Sequence, residues 1–88
     1  MDRQELKLEI VRMYSRCGSD IMMIYSKEGK DGVSLSRFRH PTCRKIIEVS
    51  ETEDKILTVL VYNDTTNASQ RNCVECKSIE QFKKEIYK

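Results

Sequence analysis

The sequence contains no tryptophan, one histidine, one proline and three glycines among its 88 residues. So little proline and glycine excludes collagen-like and proline-rich proteins. No apolar run approaches the ~20 residues that a membrane-spanning helix needs. Hydrophobic residues make up 39% of the chain and the net charge is only +2, which argues against a disordered tail. We therefore expect one globular domain over residues 1–88 and no membrane partner.

The first residues, MDRQEL, lack the apolar block of a secretory signal peptide. This predicts a cytoplasmic protein. In a reducing compartment, clustered cysteines more often bind metal or carry out redox chemistry than form structural disulfides. The chain has four cysteines, so both kinds of chemistry have to be considered.

Two segments have the pattern of helices. Apolar residues recur every three or four positions from Leu6 to Cys17, which predicts an amphipathic helix over about residues 3–17. Near the C-terminus, Ser78 followed by Gln81 is the pattern of a capping box and predicts the start of a second helix.

The segment between the helices has the pattern of strands. A turn with two glycines divides residues 20–38 into a predicted hairpin, and residues 45–50 and 56–62 form a second strand pair. The last strand is apolar at almost every position, so we expect it to lie centrally and to be covered on both faces or nearly so. The inter-strand connections are too short for parallel crossovers. The predicted fold class is therefore α+β: a helix, a four-stranded antiparallel meander and a helix, with both helices on one face.

Two pairs of potential metal ligands share one spacing, His40 with Cys43 and Cys73 with Cys76. Zinc prefers four tetrahedral sulfur and nitrogen ligands, and residues separated by two others can both point inward from a tight turn. A turn, a hairpin and a Cys-x-x-Cys that leads into a helix is similar to the treble-clef zinc arrangement, over residues 40–88. The hypothesis is a structural zinc ion held by all four residues.

Two alternatives to zinc stay open. The residues could be ordinary buried thiols with a histidine, because cysteine is among the most buried residue types. Alternatively, Cys73 and Cys76 could form a redox pair at a helix start. Cys17 lies on the apolar stripe of the first helix and is interpreted as a core residue.

Charge is distributed unevenly along the chain. Residues 37–45 contain four bases and no acid, whereas the turn at residues 51–54 is acidic. The meander would place these two turns at opposite ends of the sheet. The predicted partner-binding residues are Arg37, Phe38, Arg39, Arg44, Lys45, Arg71 and Lys77.

The sequence contains no recognisable catalytic set, since one histidine without an orienting group makes no triad and no glycine-rich phosphate loop is present. We therefore expect a non-catalytic interaction module that regulates or inhibits a larger macromolecule, with a protein partner favoured. Nucleic-acid binding through the basic edge is the alternative, and a thiol redox protein is a weaker one.

Overall fold

The computed structural model describes residues 1–16, 22–29, 31–40 and 44–87. Its elements are, in chain order, α1 (Arg3–Arg16), β1 (Met22–Glu28), β2 (Ser34–His40), β3 (Lys45–Glu51), β4 (Ile56–Asn63), a 3-10 turn (Ala68–Gln70), β5 (Val74–Glu75) and α2 (Ile79–Ile86). The radius of gyration of the Cα atoms is 12.5 Å.

The five strands form one antiparallel sheet in the order β1-β2-β3-β4-β5. The α+β class is confirmed, but the sheet has five strands where the sequence predicts four. The additional strand consists of Val74 and Glu75, which pair with Val61 and Leu60. Two residues carry no alternation of their own, so only the hydrogen bonds to β4 identify them as a strand.

Both helices begin at side-chain caps. Asp2 Oδ1 accepts a hydrogen bond from the Gln4 amide at 2.8 Å, and Ser78 Oγ accepts one from the Gln81 amide at 3.1 Å. Gln81 Oε1 in turn accepts from the Lys77 amide at 2.8 Å. These contacts satisfy donors that a helix start otherwise leaves without a partner.

One hydrophobic cluster joins the helices to the sheet. Ile47 and Val49 of β3 lie opposite Val61 and Val59 of β4, so they share one face. Residues from both helices complete this core, whose buried members are Leu6, Met13, Ile47, Val49, Val59, Val61, Cys76, Phe82 and Ile86.

The two faces of strand β4 are covered unequally. Val59 and Val61 are buried, whereas Leu60 and Tyr62, which point to the other face, are only partly buried. The strand is therefore covered on one face and partly covered on the other. Among the described helices, none is long and apolar enough to cross a membrane.

Candidate functional site

The face of the sheet opposite the hydrophobic cluster is partly exposed to solvent. Its side chains alternate with core residues along β2, β3 and β4. Arg37 and Arg39 keep 37% and 44% of their side chains exposed there. We call this surface the open face; it comprises Leu35, Arg37, Arg39, Ile46, Glu48, Ser50, Thr58, Leu60 and Tyr62.

Three polar side chains at the centre of the open face contact one another. Glu48 Oε2 accepts a hydrogen bond from the Tyr62 hydroxyl at 2.9 Å and lies 3.3 Å from Arg37 Nε. Burial, and then the neighbouring Glu48 carboxylate, raise the pKa of Tyr62 to about 12. The hydroxyl therefore stays protonated at neutral pH and remains a hydrogen-bond donor.

Long polar side chains cover an apolar residue on this face. Ile46 is only 4% exposed although it lies outside the hydrophobic cluster. Its neighbours across the sheet are Arg39 and Tyr62. Such side chains bury apolar stems and rings while their polar ends reach water. We infer that packing on Ile46, together with a contact of 3.1 Å between Arg39 Nε and Asp64 Oδ2, holds Arg39 in place.

A cleft of about 200 Å³ lies between the open face and the loop that follows β4. The loop contributes Arg71, whose backbone carbonyl accepts from the Asn63 amide at 2.7 Å. Arg71 and Tyr62 line the same cleft, and the positive charge of Arg71 lowers the pKa of Tyr62 against the dominant upward effects. The cleft is lined by Arg37, Arg39, Ile46, Tyr62, Asn63, Asp64, Thr65 and Arg71.

A second, wider cleft of about 550 Å³ lies on the other side of the same loop. Arg44 and Lys45 line it, and Lys45 Nζ donates to Asn63 Oδ1 at 2.8 Å. Arg44 has a left-handed backbone with φ of 54°, a conformation that costs a non-glycine residue about 1 kcal/mol or more. Basic side chains thus lie both on the open face and at the end of the sheet where β3 begins.

The predicted partner-binding residues therefore separate into four groups. Three arginines line the smaller cleft, and Arg44 and Lys45 line the wider one. Phe38 packs against the hydrophobic cluster instead of lying on the surface. Lys77 lies apart from both clefts, with its Nζ 2.8 Å from Glu75 Oε1.

The predicted site residues do not include Ile46, Glu48, Tyr62 and Asp64, which the structure places at this site. Period-two alternation places Glu48 and Tyr62 on the same face as the arginines once the strand register is known. Asp64 carries no such signal, because it lies just beyond the end of β4.

The two ends of the sheet differ in charge. The β3–β4 turn and the β1–β2 turn lie at the end away from Arg44, and their cleft contains five acidic residues, Glu28, Asp31, Glu51, Glu53 and Asp54. Arg3 connects α1 to this end through an ion pair with Glu51 at 2.9 Å and a hydrogen bond to the carbonyl of Thr52. The basic and acidic turns thus lie at opposite ends, as the sequence predicts.

The predicted zinc ligands occupy different environments. His40 is fully buried at the end of β2, Cys76 is buried in the core, and Cys73 is exposed. Cys43 lies outside the described residues, as does Cys17. Among the residues that the structure describes, no three His, Cys, Asp or Glu side chains form a metal-binding group.

The strand register separates His40 from Cys76. β2 and β5 are three strand spacings apart, about 14 Å. The Cys76 amide donates a hydrogen bond to the Val59 carbonyl. Val59 lies four residues along β4 from Asn63, and Asn63 is level with His40 in the strand register. This adds about 13 Å along the strands. The pairing of the strands does not bring the two residues together, and zinc stays a prediction.

The geometry of Cys73 and Cys76 disfavours the redox alternative. The extended residues of β5 separate their Cα atoms by about 10 Å, beyond the ~7 Å that a disulfide spans. Burial raises the pKa of Cys76 to about 11, so its reactive thiolate is scarce at neutral pH. A disulfide between them would require β5 to detach from β4.

No family model, curated protein sequence or solved structure in the comparisons matches this chain. The functional interpretation of the site therefore depends on its residues and their geometry.

Proposed function

We propose that this protein is a non-catalytic interaction module that binds a larger protein through the open face and the adjacent loop at residues 64–72. The observation that carries the proposal is the composition of that face: arginines and a tyrosine held in place over buried Ile46. Arginine and tyrosine are enriched among the residues that contribute most to protein–protein binding energy.

The charge balance of the open face favours a protein over a nucleic acid. Glu48 pairs with Arg37, and Asp64 pairs with Arg39. Each carboxylate offsets a cation that would otherwise neutralise a phosphate, and nucleic-acid affinity depends on the number of phosphates neutralised. A surface of mixed charge, by contrast, selects a partner with complementary charges.

The size of the face is consistent with a modest interface. The four long strands, of seven or eight residues each, give a surface of roughly 19 by 23 Å. A standard protein interface buries about 800 Å² on each partner, which exceeds this projected area. The loop at residues 64–72 is therefore expected to contribute to binding.

Site-specific photo-crosslinking tests this proposal. The photoreactive residue p-benzoylphenylalanine is placed at Leu60 on the open face and, as a control, at Lys84, which is exposed on α2. We expect a protease-sensitive, nuclease-resistant adduct from position 60 at several times the yield from position 84. The captured protein is then purified and must bind the unmodified chain. Equal yields at both positions, or adducts formed only from α2, would contradict the proposal.

Nucleic-acid binding is the second candidate, because three arginines and Tyr62 line one cleft. It predicts a nuclease-sensitive adduct from position 60, and affinity for oligonucleotides that falls steeply between 50 and 200 mM salt, as about one counterion is released for each neutralised phosphate. No binding at 50 mM salt would eliminate this candidate.

A further inference from the structure

At the cleft between the open face and the loop, positively charged side chains outnumber their carboxylate partners by one. Its three guanidinium groups are accompanied by two carboxylates, Glu48 beside Arg37 and Asp64 beside Arg39. The unbalanced cation is Arg71, and no carboxylate of the described residues lies within ion-pair distance of it. Its Nε instead points to the Thr65 carbonyl at 3.5 Å, the upper limit for a hydrogen bond.

The cleft also provides donors that a carboxylate can use. A guanidinium carries five N–H groups in a planar fork. Arg39 Nε lies 3.1 Å from Asp64 Oδ2 as an ion pair, and this buried Nε–H makes no hydrogen bond. An entering carboxylate can therefore bind the Nη edges of Arg39 and Arg71 together. Ile46 and the ring of Tyr62 add apolar lining for the methylene groups of a glutamate side chain.

The volume of the cleft limits the size of the ligand. About 200 Å³ is below the ~300 Å³ at which pockets for small organic ligands begin. It fits one side chain better than a nucleotide. A net charge of one matches a single carboxylate, whereas successive phosphates would meet Glu48 and Asp64.

We infer that this cleft binds one glutamate or aspartate side chain of an acidic segment in the partner protein, clamped between Arg39 and Arg71. This inference rests on the proposed function, because it names the chemistry of the partner at the same face. Asp64 would keep Arg39 oriented before binding, which limits the entropy lost when the ligand carboxylate enters.

The test is an NMR titration of the full ¹⁵N-labelled chain, with the Nε–Hε signals of its arginines as probes. The ligand is the peptide acetyl-Glu-Glu-Glu-Glu-amide, and its glutamine counterpart is the uncharged control. We expect saturable shifts of the Arg39 and Arg71 signals with the glutamate peptide only. Arg71→Gln should raise the Kd by about fivefold, the effect of one partly exposed ion pair, whereas Lys55→Gln at the acidic end should leave it unchanged.

Other outcomes overturn the inference in distinguishable ways. Non-saturable shifts of all arginines, or equal losses in Arg71→Gln and Lys55→Gln, would show general charge attraction without a site. Saturation by inorganic phosphate at lower concentration than by the peptide would assign the cleft to a phosphate group. If the peptide fails while position 60 still crosslinks to a protein, the inference fails and the proposed function stands. Tight, salt-sensitive binding of the oligonucleotide dT₁₂ at the same signals would contradict both.

Discussion

Individual side chains of this protein acquire properties that their residue types do not indicate. Arg71 is far from Arg37 and Arg39 in the sequence, yet all three line one cleft. Phe38, which lies between two of these arginines in the sequence, points to the core because alternate residues of a strand face opposite sides. The basic cluster could be predicted from the sequence. Which face of the sheet each side chain lies on could be assigned only once the strand register was known.

The thiol of Cys76 provides a prediction at this scale. Its pKa of about 11, against the ordinary 9.0, reduces the thiolate fraction at pH 8 about 100-fold. We therefore expect iodoacetamide to modify exposed Cys73 in the native protein while Cys76 remains unmodified, as measured by peptide mass mapping. In urea both thiols should react at similar rates. Rapid native modification of Cys76 would show that it is not buried as described.

The same shift affects stability at alkaline pH. Because the folded-state pKa is raised, the protonated thiol contributes stability below pH 9, and this contribution is lost as the pH rises towards 11. Cys76→Ala should remove this part of the pH dependence of the free energy of unfolding.

At the scale of elements, local signals predicted the helix starts and the four long strands well. The Ser78 cap depends on residues three positions apart, so the sequence contains all of its information. β5 could not be predicted, because its two residues are defined by pairing with β4. How far each face of β4 is covered could not be predicted for a related reason. The sequence pattern around Leu60 and Tyr62 does not show what covers them. A helix and the polar side chains of a solvated sheet face would both fit it.

The capping contact at the start of α2 gives a second prediction. Ser78→Ala should reduce the free energy of unfolding by about 1 kcal/mol, because the Gln81 amide loses its acceptor. Ser78→Asp retains an acceptor and should remain close to the wild type. The measurement is urea unfolding followed by circular dichroism. Equal stability of the Ala variant and the wild type would contradict the assigned cap.

At the scale of the whole molecule, the two faces of the sheet differ in composition. Both helices contribute to the hydrophobic cluster on one face, and the other face presents the arginine and tyrosine network. The sequence predicted the α+β class and the opposition of the basic and acidic turns. It could not predict the clefts, which form where the loop at residues 64–72 folds back on β4.

The central claim, that the open face binds the partner, is tested most directly by comparing two double variants of equal charge change. Arg37→Ala/Arg39→Ala alters the open face, whereas Lys55→Ala/Lys84→Ala removes two exposed charges elsewhere. Isothermal titration calorimetry with the protein captured from position 60 should give a Kd at least about tenfold weaker for the arginine variant, or 1.4 kcal/mol. The lysine variant should bind like the wild type. Arg71→Ala, which alters only the loop, should also weaken binding and provides the test if the double variant unfolds. Equal losses in the arginine and lysine variants, or none in any variant, would contradict the account.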